Sequence, residues 1–136
     1  MDRYKILGKV NLTQPSTSLL YTVPLPTVFE NTDVGPRTDA TVLYTIVSSI
    51  IISNQLFTNS HFSIAVLDDS SVVTPVAADY IFKSILLESW VTMVVSPGIT
   101  LPSIPQGADL LHGAALWVKC DTGNITVQAY GAEVTQ

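Results

Sequence analysis

Charge is scarce in this sequence. Lysine and arginine number six and aspartate and glutamate eleven among 136 residues, so 12% of the chain is charged while 47% is hydrophobic. That is about half the usual charged share, too little to cover a monomer's surface with ionic groups. Part of the apolar surface is therefore expected to be buried against other subunits. The few basic residues are scattered (Arg3, Lys5, Lys9, Arg37, Lys83, Lys119) and the net charge is −5, which argues against nucleic acid as a partner. One cysteine, Cys120, excludes an intrachain disulfide. Its place on the apolar face of a predicted strand makes it a small buried hydrophobe.

No run is long and apolar enough to span a bilayer. The greasiest stretch, Val42 to Ile52, carries Thr45, Ser48 and Ser49 and falls short of the roughly 20 residues a span needs. Lys9 and Asn11 interrupt the apolar residues near the start, so no secretory leader and no membrane partner are expected. Without export, the sequons at Asn11 and Asn124 read as chance.

Catalytic signatures are equally thin. Histidine occurs only as His61 and His112, no G-x-S-x-G elbow is present, and neither phosphate-binding glycine pattern occurs. Asp68-Asp69 reads as a turn rather than a metal ligand pair, and the loop with Asn31, Asp33 and Asp39 lacks the calcium-loop spacing. No enzyme activity, cofactor, metal or small-molecule substrate is expected.

What the chain does have is period-two alternation. Arg3's neighbours Tyr4 to Val10 suggest a first strand, with Gly8 a bulge or close-approach point. Ser18 to Val23 follows, and Thr41 to Ser53 is the most β-prone run. Its Val42, Tyr44, Ile46, Ile50 and Ile52 fall on one face, and Leu43, Val47 and Ile51 on the other. His61 to Leu67, Ala78 to Lys83, Val91 to Ser96 and Ile99 to Leu101 continue the pattern, with Ile85 to Glu88 a further strand or a bend. Near the end, Leu116, Val118 and Cys120 alternate with Trp117 and Lys119. Asp121-Thr122-Gly123-Asn124 turns the chain, and Ile125, Val127 and Ala129 resume, which predicts a hairpin. No amphipathic helix emerges. The expectation is an all-β chain: one antiparallel, jelly-roll-like β-sandwich of about eight strands. It would form a single domain over residues 1–136, with an N-terminal arm (1–17) and two long loops (25–41 and 102–115).

Six pieces taken in order carry a resemblance. They are Leu20-Tyr21-Thr22-Val23-Pro24, Val47-Ser48-Ser49-Ile50-Ile51-Ile52-Ser53-Asn54, Phe62-Ser63-Ile64-Ala65-Val66, Asp79-Tyr80-Ile81, Gly98-Ile99-Thr100-Leu101, and Ile125 to Val134 with its Tyr130-Gly131-Ala132-Glu133 ending. In this order they resemble small virion structural proteins of marine tailed phages, especially cyanophages. Each piece alone is a generic strand; order and spacing carry the likeness, from Leu20 onward. The resemblance implies a capsid decoration, or cement, protein. It would sit as a homotrimer on the outer surface of the head, with the major capsid protein and sister subunits as partners. The two long loops depart from the family pattern, which leaves open a tail, neck, baseplate or fibre position. A carbohydrate-binding sandwich is the other alternative, with Trp117 and Trp90 (beside Glu88) as the candidate stacking residues. The residues expected to make partner contacts are Arg3, Tyr4, Phe29, Arg37, Leu110, Trp117 and Lys119, with Arg3, Arg37 and Lys119 as salt partners for an acidic neighbour.

Overall fold

The computed structural model describes residues 3–24, 42–67, 74–102 and 113–135. Nine strands make up nearly all of it: β1 (Arg3–Leu12), β2 (Ser16–Thr22), β3 (Val42–Asn54), β4 (Ser60–Leu67), β5 (Tyr80–Leu87), β6 (Thr92–Val95), β7 (Ile99–Pro102), β8 (Ala115–Cys120) and β9 (Ile125–Thr135). A single 3-10 turn, Ala77–Asp79, precedes β5, and Asp79 closes it by accepting the Val76 N–H at 2.8 Å. β-Branched and aromatic residues are most frequent in β3, β6 and β9, where they suit a pleated, half-buried surface.

The strands form two antiparallel sheets. One has the order β1-β9-β3-β6, with β7 also paired to β3; the other has the order β2-β8-β4-β5. Strands β6 and β7 lie end to end along β3, on Ile50–Ser53 and Tyr44–Val47 respectively, and so share one position in the sheet. The break falls at Ser96-Pro97-Gly98, where Gly98 takes φ +60. Counted by position, the sandwich has two four-membered sheets, and sequence neighbours alternate between them except at the β4–β5 hairpin. That is jelly-roll topology, as the sequence pattern suggested.

The two inner faces meet in one core. Val47, Ile50, Ile52, Leu101, Ile125 and Val127 come from the first sheet, and Phe62, Ile64, Leu87, Leu116 and Val118 from the second, all essentially sealed from solvent. Burying such a side chain contributes about 1.5–3 kcal/mol, offset largely by chain entropy.

Three sequence readings are corrected here. First, β8 and β9 are not a hairpin. β8 pairs with β2 and β4, while β9 pairs with β1 and β3, so the Asp121–Asn124 turn carries the chain from one sheet to the other. Leu116, Val118, Cys120, Ile125, Val127 and Ala129 all point inward, but from opposite sides of the core. Second, β3 does not keep one phase. Its register against β9 shifts between Val47 and Ser49, a bulge, so Thr45, Val47, Ile50 and Ile52 share the inner face while Tyr44 and Ile46 turn outward. Third, most of the expected arm is structural: Arg3–Leu12 pairs along β9 for its full length. At Gly8 that strand bulges, and a Cβ there would collide with the Leu20 carbonyl oxygen of β2. Gly8 thus lets the two sheets close on each other at this edge.

The pieces expected at Ala78–Lys83 and Ile85–Glu88 merge into one strand, Tyr80–Leu87, kinked at Ser84, which has φ 52, while Ala78 and Asp79 fall in the 3-10 turn. The Ser63 hydroxyl compensates by accepting the Ser84 N–H at 2.9 Å.

Candidate functional site

Two polar assemblies pin the sandwich together. Tyr21 of β2 crosses to the first sheet, where its hydroxyl lies 2.9 Å from the Thr45 hydroxyl and donates at 2.9 Å to Glu133. Glu133, whose side chain is 14% exposed, also pairs with Lys5 at 2.9 Å. Desolvation raises the Tyr21 pKa first, and the neighbouring carboxylate adds to it, so the phenol stays protonated and donating. At the opposite end Asn54 is buried. Its amide nitrogen donates to the carbonyls of Thr58, Leu87 and Glu88 at 2.9, 3.2 and 3.2 Å, and its Oδ1 accepts the Leu56 N–H at 3.0 Å. Neither assembly holds a nucleophile beside a base. Among the described residues no three His, Cys, Asp or Glu side chains cluster in a way that would hold a metal ion. Cys120 is buried, and desolvation, reinforced by Asp121, pushes its thiol up to about 12. His61 sits on the outward face of β4, 3.4 Å from Asp121, both groups about half exposed.

The surface is where the distinctive chemistry lies. The outer face of the first sheet is built from cross-strand rows: Tyr4–Ala132–Ile46–Thr100, Ile6–Tyr130–Ser49 and Lys9–Gln128–Ile51–Val94. Tyr4, Ile6, Tyr44, Ile46 and Val94 are exposed on it, and Lys9 is the one charged side chain among its described residues. The Ser48 hydroxyl, freed from the inner face by the bulge, donates to the Tyr130 carbonyl and reaches the Tyr4 hydroxyl at 3.2 Å. Hydrogen bonding from Ser48, and after it Ser49, lowers the Tyr4 pKa. The outer face of the second sheet carries the row Leu19–Trp117–Ala65–Tyr80, beside Thr17–Lys119–Ser63.

The expected contact residues are therefore divided. Tyr4 is exposed on the first sheet's outer face; Trp117 and Lys119 lie on the opposite face of the sandwich, Trp117 half-buried and Lys119 exposed. Arg3 opens β1 in register with Glu133. Phe29, Arg37 and Leu110 lie outside the described residues, as do His112, Asp68, Asp69 and the Asn31/Asp33/Asp39 loop. The two loops nonetheless start from one place. The described chain leaves β2 and rejoins at β3, and leaves β7 and rejoins at β8, at the same end of the sandwich, where Val23 and Ala114 N–H groups donate to the Ala114 and Pro102 carbonyls.

Sequence reasoning missed Asn54 and Phe57. Asn54 reads as a turn residue after a strand, and a lone phenylalanine in a short loop carries no signal. Trp90, a candidate stacking residue from the sequence, is 69% exposed.

No protein-family model matches the chain, and no curated protein matches it. Among solved structures the chain is similar to one in the crystal structure of the IBDV viral particle, at TM-score 0.49 and 8% sequence identity. The likeness covers 96% of this chain and 30% of that one, so this chain spans under a third of that chain's length. A likeness at that level speaks to neither ancestry nor function.

Proposed function

We propose that the chain is a structural, non-enzymatic component of a viral particle, held in place by surface contacts with copies of itself and with the shell. The observation that carries this reading is the outer face of the first sheet. It offers Tyr4, Ile6, Tyr44, Ile46 and Val94 to solvent and, among its described side chains, a single charge. A face with five exposed apolar or aromatic side chains and one charge is a contact surface rather than a wet one. Four strand positions about 4.8 Å apart and strands of about ten residues rising about 3.3 Å each give a footprint on the order of 600 Å². That approaches the ~800 Å² per partner of a stable interface.

Jelly rolls recur in viral coats and in lectins, and fold alone does not choose between them. The ordered motifs from Leu20-Tyr21-Thr22-Val23-Pro24 to Tyr130-Gly131-Ala132-Glu133 support the coat. On the finer reading the chain is a phage decoration protein on the outer surface of the capsid, a homotrimer bound to the major capsid protein. The net charge of −5 is in keeping with an exterior position away from packaged DNA. Nucleic acid, membranes and small molecules have no part in it.

Light scattering at micromolar concentration tests the association. The wild-type chain should be an oligomer, and Ile46→Glu on that face should dissociate it while the far-ultraviolet circular dichroism is retained. A monodisperse wild-type monomer would overturn the assignment of that face.

A further inference from the structure

The end of the sandwich opposite the long loops is made of four short turns, after β1, β3, β5 and β8. Three of them, those after β3, β5 and β8, are tied together. Gln55 N–H donates to the Asn124 carbonyl, Asn54 N–H to Val91, Trp90 N–H to Leu56, and Ser89 N–H to the Asn59 side-chain oxygen, all at 3.0–3.1 Å. Asn54 is the hub, with its four side-chain hydrogen bonds spanning both loops.

This rigid frame presents two aromatic side chains, Phe57 at 78% and Trp90 at 69% exposure, the highest among the exposed large hydrophobic residues. The Trp90 N–H bond to Leu56, the residue before Phe57, sets the two loops side by side. Trp90 is also strained. It occupies the third position of a turn closed by Val91 N–H to Glu88 carbonyl, and its φ is 59, a conformation in which glycine is the ordinary choice. A bulky aromatic held there, with its ring left in water, is costly to the fold and points to a use for the ring.

Resting on the coat reading above, we propose that Phe57 and Trp90 form a preformed anchor that inserts into an apolar pocket of the shell protein on which this chain sits. Aromatic side chains on a rigid frame lose little entropy on docking and are typical centres of binding energy. The chemistry of this end favours protein over the other candidates. A sugar is held by polar groups that converge on the stacking ring, and here the Asn54 amide and the Asn59 Oδ1, the two asparagines flanking Phe57, are committed internally. A lipid surface draws in cations, whereas the charged groups of this end are Glu88 and Asp121, the latter beside His61.

The test uses purified particles lacking this chain, incubated with the full-length protein and sedimented. Wild type and the distant surface variant Val76→Ser should bind saturably and alike. The double variant Phe57→Ser/Trp90→Ser should bind about 30-fold more weakly or worse, as loss of a binding hot spot does. Trp90→Gly removes the ring and relieves the backbone, so it should weaken binding about tenfold while its melting temperature stays the same or rises. Wild-type binding that survives both sets of substitutions would overturn the anchor and leave the coat reading standing. Wild type that does not sediment with particles would overturn both. Loss of light-scattering association in the double variant would instead assign the pair to sister subunits. Variant-sensitive retention on a glycan array, or on vesicles of phosphatidylcholine and phosphatidylserine, would replace the shell protein with that ligand.

Discussion

Replacing Tyr21 by phenylalanine should loosen the clamp between the two sheets without disturbing the packing of the ring. The hydroxyl makes two bonds of 2.9 Å, one to Thr45, which is fully buried, and one to Glu133. Its removal leaves the Thr45 hydroxyl without that partner in the core, a cost of about 1–3 kcal/mol. The bond to the carboxylate adds less than its nominal strength, because Glu133 keeps Lys5 at 2.9 Å and some access to water. A destabilisation of about 2 kcal/mol follows, equivalent to a fall of roughly 8 °C in melting temperature for a domain of this size. Denaturant unfolding of Tyr21→Phe, Thr45→Val and the double variant measures the coupling. Thr45→Val also removes the orphaned hydroxyl, so the double variant should be more stable than the sum of the two single losses implies. Additive effects, or a Tyr21→Phe loss below about 0.5 kcal/mol, would refute the clamp.

Asn54→Ala should cost about 3 kcal/mol or more in chemical denaturation, since it strands several buried backbone groups at once, and it should weaken particle binding by disordering the Phe57–Trp90 frame. Gly8→Ala forces a methyl against the backbone oxygen of Leu20, which cannot swing aside, and should cost upwards of about 2 kcal/mol by thermal melting. Native Cys120 should resist alkylation by iodoacetamide near neutral pH and react fully once the chain unfolds. With its folded pKa raised from 9.0 to about 12, stability should be unaffected by this thiol below pH 9 and fall as pH rises from there, where only the unfolded state ionises. Cys120→Ala should make that alkaline slope shallower by up to one proton.

The fold was largely legible because period-two alternation is a direct record of which side chains face a core. Strand positions follow from it within a residue or two, and Gly8 announced its close approach by lacking a side chain in an otherwise branched run. The same pattern is silent on which sheet a strand joins. Inward residues of β8 and β9 alternate identically whether the Asp121–Asn124 turn makes a hairpin or an arch across the core. A bulge is equally invisible: one extra residue at Ser48 inverts the phase of β3, and nothing in Val47-Ser48-Ser49-Ile50 marks it beyond two small polar side chains. The surface was legible only in sum. Low charge points to exposed apolar surface without saying where it lies, and Tyr4 is exposed on the outer face of the first sheet. That Ile6, Tyr44, Ile46 and Val94 stand beside Tyr4 depends on pairings between strands far apart in sequence. Phe57 and Trp90, more than thirty residues apart, stand on neighbouring loops only because Asn54 and Leu56 bind the β5–β6 turn.

The central claim, that this chain is a coat component bound to the shell, is most directly tested by counting it. Quantitative mass spectrometry of purified virions should find hundreds of copies per particle, in fixed proportion to the major capsid protein. A few dozen copies or fewer would contradict decoration of the head and move the chain to the tail, and absence from the particle would contradict the coat assignment altogether.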